Sequence, residues 1–237
     1  MSAATSVGRL WNDAACPPAW NMAADEILLR DWTADAGLGL RLYTWEPVAD
    51  TIGYFQPYRD VAPQDRPWVR RQTGGGVVHH DYDLTVTVVA GRGHPFLAVD
   101  RFTSYRQLND AIRLAFTDIG VTDLQLHAHD IPDSVDRAQL VCFETPAQYD
   151  VVGPRGKVAG GAQRRTALGL LHQGSIDLRA YPELRADHSA LAQAVATRLG
   201  ALFGVSWQSA EPDAAQRADI ATLVTEKYGN DDWNHKR

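Results

Sequence analysis

Three segments of this chain carry side chains whose types and spacing could do chemistry. The first is Arg70-Arg71-Gln72-Thr73-Gly74-Gly75-Gly76-Val77-Val78-His79-His80-Asp81. Three consecutive glycines lack Cβ atoms, so their N–H groups can approach a ligand closely; such a nest suits a carboxylate, a phosphate or a developing oxyanion. The same run also reads as a glycine-rich bend at a strand end. It is not a P-loop, because no Gly-Lys-Ser/Thr closes it. The second segment is Gly156-Lys157-Val158-Ala159-Gly160-Gly161-Ala162-Gln163-Arg164-Arg165. A tight turn sets Lys157 at the head of a strand, followed by two glycines that again permit close approach. Lys157 is either a solvated surface charge or a point charge able to hold an acyl carbonyl and activate a neighbour.

The third is Cys142, in Leu140-Val141-Cys142-Phe143-Glu144-Thr145-Pro146-Ala147. A lone cysteine is a small buried residue or, beside a cation, a nucleophile, since the thiolate is the reactive form. His127-Ala128-His129-Asp130 has ligand-capable side chains, but no third cluster is spaced to complete a zinc site, so a solvated loop is favoured. Ser104, Ser175 and Ser189 stand in no G-x-S-x-G setting, which argues against a serine hydrolase.

The elements that must position these residues follow from periodicity. Helical stripes run through Trp20, Ala23, Ala24, Ile27 and Leu28, and through Tyr105, Leu108, Ile112, Phe116 and Ile119. The second stripe is expected to start at Thr103 or Ser104 and stop at Gly120. A third runs through Leu191, Val195, Leu199 and Leu202 after the candidate caps Asp187 and Ser189, and a fourth through 212–228. Strand alternation is read in Gly39-Leu40-Arg41-Leu42-Tyr43-Thr44-Trp45-Glu46-Pro47, and in 84–90, where Leu84, Val86 and Val88 oppose Thr85, Thr87 and Val89. Further strands are expected at Tyr149–Val152, after the turn 153–156, and through 168–178. Strands in the middle and helices at the edges predict an α+β (mixed α/β) fold with a largely antiparallel sheet. Residues 120–147 read as a long irregular loop, the kind that is more often functional than idle.

Composition narrows the partners. The 237 residues hold 23 Lys+Arg against 29 Asp+Glu, a net charge of −6. That balance opposes general nucleic-acid binding, which phosphate neutralisation drives. Two cysteines, Cys16 and Cys142, are too few for a disulfide framework. No apolar run of about 18 residues would span a membrane, and the N-terminal stretch lacks the basic and apolar regions of a secretory signal. A cytoplasmic protein is expected.

Taken together, the motifs resemble the lipoate–protein ligase and octanoyltransferase family, which shares a catalytic fold with biotin–protein ligases. The carrying residues are Asn21-Met22-Ala23-Ala24-Asp25-Glu26, Thr51-Ile52-Gly53-Tyr54-Phe55-Gln56, the RRQTGGGVVHHD run, and GKVAGGAQRR followed by Leu171-His172-Gln173-Gly174. The resemblance covers about 20–178, and implies a single catalytic domain over 1–237 with helices of 187–233 packed on it. Within the family, the cysteine-in-loop octanoyltransferases carry a pattern similar to C-F-x-x-P-x-x-Y-[DE] with a lysine 15 positions after the cysteine. Here Cys142-Phe143 leads to Pro146 and Tyr149-Asp150, and Lys157 lies 15 residues beyond Cys142. The chain departs from the family at His79, where an apolar residue is usual, and at Gly161, where Ser or Asn is more common.

The resemblance implies an acyl transfer in which Cys142 takes an octanoyl group from acyl carrier protein and passes it to a lysine of an apo lipoyl domain or glycine-cleavage H protein. Lys157 would activate Cys142 and bind the carbonyl, and Arg71, Gly74, Gly75, Gly76, His80, Gly160, Gly161, Ala162 and His172 would bind substrate. No cofactor is needed for transfer. ATP and Mg would enter only for the alternative, a lipoate ligase; a second alternative is an octanoyl amidotransferase between lipoyl-accepting proteins. Burying the chain's methylenes, at ~0.8 kcal/mol each, would contribute about 5 kcal/mol. Arg70, Arg71, Arg164 and Arg165 are expected to form a basic rim for an acidic carrier protein. A monomer is expected.

Overall fold

The alternation read in the middle of the chain builds one large sheet, seen in a computed structural model that describes residues 6–31, 37–63 and 65–237. The first five residues of the stretch examined for a secretory signal lie outside this range. The elements run β1 (Ser6–Asn12), α1 (Pro18–Asp31), β2 (Leu38–Tyr43), β3 (Ala49–Ile52), α2 (Tyr58–Val61), β4 (Trp68–Arg70), β5 (Val78–His80) and β6 (Asp83–Gly91). They continue with α3 (Arg101–Asp118), β7 (Gln125–Leu126), β8 (Val151–Gly153), β9 (Gly156–Thr166), β10 (Gly169–Asp177), α4 (Pro182–Ala186), α5 (Ser189–Phe203) and β11 (Val205–Ser209). Last come α6 (Ala214–Leu223), a π turn at Val224–Tyr228, and α7 (Asp231–Asn234).

Eight strands form the main sheet in the order β11-β1-β2-β6-β10-β9-β8-β7, and β4-β3-β5 form a small second sheet. From β2 to β7 every neighbour is antiparallel; β11, β1 and β2 pair in parallel at one end. The mixed fold with a largely antiparallel sheet is therefore as the sequence predicts, with helices on both faces. On β6, Leu84, Val86 and Val88 enter the core shared with α3 and α5, whereas Val89 joins the core of α1 and the C-terminal helices. The period-two split read from the sequence is the split between these layers. On β10 the same rule sends Leu170, His172 and Ile176 toward α3 and Leu171, Gln173 and Ser175 toward α1.

Several expectations shift. Helix α3 begins earlier than Thr103, because the Asp100 carboxylate accepts the Thr103 N–H and caps the first turn. Strand β2 does not separate an inner from an outer face: all six residues are buried, since it lies between β1 and β6 with layers on both sides. The tail helix also splits into α6, opened by an Asp213–Gln216 capping box, and the π turn. The stretch read as one irregular loop, 120–147, is interrupted by β7, and residues 127–150 then join β7 to β8 and carry Cys142. Among the described residues, no helix is long and apolar enough to cross a membrane.

Candidate active site

Glycine lets two backbone segments lie against each other at the centre of the site. Arg71 N–H donates to Ile52 O (3.0 Å) and Tyr54 N–H to Thr73 O (2.9 Å), which ties the TGGG loop to the end of β3. A Cβ on Gly53 would stand 1.9 Å from Gly75 O, so only glycine fits. On its other side the loop holds the cysteine segment, with Val77 N–H donating to Leu140 O (2.7 Å) and Cys142 N–H to Val77 O (2.8 Å). Gln56 Nε2 donates to Ala138 O (3.0 Å) and clamps the same segment from outside. Gly75 takes a left-handed φ of 87°, and the Gly76 N–H points at Cys142 Sγ, 3.2 Å away.

The two arginines of the motif lie inside the protein, not on a rim. Arg70 is fully buried and its guanidinium donates to Gly53 O (2.9 Å), Gln56 O (2.8 Å) and Asn234 O (3.0 Å). Arg71 is also buried and donates to Thr51 O, Thr51 Oγ1, Gly74 O and Gly76 O. The expected basic rim therefore loses these two members, because backbone carbonyls at turns supply acceptors that draw the guanidiniums inward. Arg164, half-buried, donates to Gln72 O and lies 4.7 Å over the Tyr54 ring. Arg165 is exposed and reaches Leu97 O.

Lys157 and Cys142 line one cavity. The ammonium lies 2.7 Å from Asp150 Oδ2, with both side chains buried, and 5.3 Å from the Phe143 ring centre. Its stem passes over Gly160, where a Cβ would meet Lys157 Cε at 2.5 Å. Asp150 also accepts the Ala147 N–H (2.7 Å), so one carboxylate anchors both the lysine and the end of the cysteine loop. Burial pushes the Asp150 carboxyl up, against the pull of Lys157. The loop closes through Tyr149, a non-glycine residue at φ 70°, whose carbonyl accepts from Asn109 Nδ2.

The cavity is narrow: about 60 Å³ of it is open to the centre of a water-sized sphere. Met22, Tyr43, Trp45, Val78 and Phe143 supply apolar wall, a lining suited to a small apolar ligand. Gly75, Gly160, Gly161, Ala162, Arg71 and His80 also border it. Gly74 and Gly76 do not; they act through backbone, Gly74 O on Arg71 and Gly76 N–H on Cys142. His80 stacks on Trp45 at 3.9 Å, with Nδ1 2.9 Å from Asp83 Oδ2 and Nε2 2.9 Å from Thr51 Oγ1. The extra histidine, His79, points outward to Asp50 at 2.9 Å, and that bond raises its pKa.

His172 stands apart. Strand alternation puts it on the α3 side of β10, behind the strand whose other face borders the cavity. Among the described residues neither ring nitrogen has a hydrogen-bond partner, and burial pushes its pKa down to about 4. A Cβ on Gly161 would lie 2.5 Å from His172 Cε1, which gives the Gly161 departure a packing reason.

Sequence reasoning missed the polar core under the cavity. Asp25 accepts from Arg41 (2.9 Å), Tyr43 (3.0 Å), Thr87 (2.8 Å) and Gln173 (2.7 Å), all buried. Asp83 Oδ2 gathers His80, Thr85 and Ser175 in the same way. One signal was available: Arg41 interrupts an apolar strand and Asp25 an apolar helix, and a charge there must be paired when buried. Desolvation pushes the Tyr43 hydroxyl's pKa well up, with Asp25 adding to it.

A mixed sheet carries a glycine loop packed on a half-buried cysteine segment and a lysine beside a paired glycine, the arrangement expected of a ligase or transferase of the family the motifs resemble. Residues 17–196 match the lipoyl protein ligase A/B catalytic domain, and the chain belongs to that family. It is 30% identical to the octanoyltransferase LipM of Bacillus cereus over 95% of this chain and 97% of that one. It is also 30% identical to LipM of Geobacillus kaustophilus, over 99% and 100% respectively. A LipM from Lysinibacillus sphaericus is 34% identical over 180 residues, 70% of this chain and 63% of its own length. Among solved structures, a lipoate-protein ligase A bound with ATP superposes with a TM-score of 0.74 at 21% identity, covering 96% of this chain and 98% of that one. The bipartite lipoate protein ligase of Thermoplasma acidophilum gives 0.71 at 20%, covering 97% and 96%. These two likenesses concern the fold.

Proposed function

We propose that this protein is an octanoyltransferase of protein lipoylation that carries the acyl group on Cys142. The relatives named octanoyltransferase, matched over nearly the whole chain, support the reaction class. The observation that carries the mechanism is the Cys142 sulfur beside the Gly76 N–H in an apolar cavity shared with Arg71 and Lys157.

In the first half-reaction the Cys142 thiolate adds to the thioester carbonyl of an octanoyl-acyl carrier protein. The carbonyl oxygen becomes an oxyanion, held by N–H groups and cations already in place. The carbon–sulfur bond to the carrier breaks, the carrier thiolate leaves and takes up a proton, and the octanoyl group remains on Cys142 as a thioester. In the second, the neutral amine of a lysine on a lipoyl domain or glycine-cleavage H protein adds to that carbonyl. The bond to Cys142 breaks, the nitrogen loses its proton, and an amide results. Neither half consumes ATP.

The test is octanoylation of an apo lipoyl domain under three supplies: octanoyl-acyl carrier protein alone, free octanoate or lipoate with ATP and Mg, and an octanoylated H protein. Product with the first supply and not the second supports this reading. Product only with the second makes the protein a ligase, and product only with the third makes it an amidotransferase.

A further inference from the structure

Two cations border the cavity that holds the Cys142 thiol, and they differ in how their charge is balanced. Lys157 sits 2.7 Å from Asp150, both buried, so the pair presents a dipole and little net charge. Arg71 is just as buried, yet its four acceptors are the neutral atoms Thr51 O (3.0 Å), Thr51 Oγ1 (2.7 Å), Gly74 O (2.8 Å) and Gly76 O (2.8 Å). The carboxylate on its hydrogen-bond path, Asp83, is reached only through Thr51 and His80. Thr51 Oγ1, which accepts from Arg71, lies 2.9 Å from His80 Nε2, and His80 Nδ1 lies 2.9 Å from Asp83 Oδ2. Among the described residues, these contacts orient the guanidinium without an anion against it.

The sulfur supplies what is missing. Arg71 Nη2 and Cys142 Sγ lie 3.3 and 3.6 Å from the point where a Cβ on Gly75 would stand, so they flank the same glycine. Burial pulls the pKa of the guanidinium down, as expected of a cation with no anion beside it. We infer that Arg71, not Lys157, is the uncompensated positive charge of the site and the catalytic counter-ion of the Cys142 thiolate. The consequence for turnover rests on the proposed acyl transfer: negative charge passes from sulfur to carbonyl oxygen to leaving sulfur, beside one fixed cation. Asp150 then has a separate task, which is to hold Lys157 as a positioned hydrogen-bond donor while masking its charge.

The test compares alkylation of Cys142 by anionic iodoacetate and neutral iodoacetamide at one pH, in a Cys16→Ser background that leaves a single thiol. The ratio of the two rates cancels intrinsic thiol reactivity and reports the local potential. Arg71→Gln is expected to lower the ratio about fivefold or more. The double variant Lys157→Gln/Asp150→Asn, which removes the pair together, is expected to keep it within about twofold, and Asp150→Asn alone, which unmasks Lys157, to raise it. A double variant that loses the ratio as Arg71→Gln does overturns the inference, as does an Arg71→Gln that keeps it. If Arg71→Gln does not fold, the double variant alone decides by the same criterion. Alkylation needs no acyl donor, so a protein that takes up no octanoyl group would refute the proposed function and leave this result standing.

Discussion

His172 offers a prediction whose size can be worked out in advance. The ring is buried on the α3 side of β10 with neither nitrogen hydrogen-bonded among the described residues, and its pKa falls from 6.5 to about 4. The folded state thus holds it neutral at pH values where the unfolded chain protonates it. With the folded value below the unfolded one, the unfolded state binds more protons between the two, and stability falls as pH falls from about 6.5. The full difference of 2.5 units corresponds to about 3 kcal/mol, of which about 2 kcal/mol is lost between pH 7 and pH 5. The assay is urea unfolding at both pH values for the parent and for His172→Phe. Packing differences between the two side chains enter equally at both pH values, so the comparison is between pH dependences. The parent should lose about 2 kcal/mol more than the variant over this interval. Equal losses would refute the reasoning and mean that the imidazole is protonated, or otherwise satisfied, inside the fold.

Other consequences follow from named contacts. Gly53→Ala drives a Cβ to 1.9 Å from Gly75 O and should cost about 2 kcal/mol or more, read as a lowered melting temperature together with slower alkylation of Cys142 as its segment shifts. Asp25→Ala leaves Arg41 charged and buried, paired only with Asp13, and should destabilise by about 3–5 kcal/mol in urea unfolding. Val78→Trp fills the apolar wall of the cavity and should lower turnover of octanoyl thioesters at least about tenfold relative to butyryl ones. An unchanged chain-length preference would mean that the acyl group lies elsewhere.

How much of this was legible in the sequence differs by element, for physical reasons. Strand β6 could be read residue by residue because its two faces meet different layers, and α3 and α5 because each buries one stripe. Strand β2 and helix α1 were legible as elements but not face by face, since both are surrounded: α1 buries Asn21, Asp25 and Glu26 along with its apolar residues. The parallel end β11-β1-β2 was invisible because its partners lie far apart in the chain, Ser6 against Val205. At the site, the glycine runs and the Cys142–Lys157 spacing were plain. The placement of Arg70 was not, because its acceptors are backbone atoms of 53–56 and of Asn234, 164 residues away. Arg71 looked like one basic residue among four until the carbonyls around it were seen.

The central claim is that Cys142 carries the acyl group. Its most direct test is intact-protein mass spectrometry after mixing the protein with octanoyl-acyl carrier protein, without ATP, alongside Cys142→Ala. The account predicts one octanoyl adduct on the parent, removed by hydroxylamine and discharged onto an added apo lipoyl domain, with none on the variant. An unmodified parent, or an adduct that persists in Cys142→Ala, would contradict it.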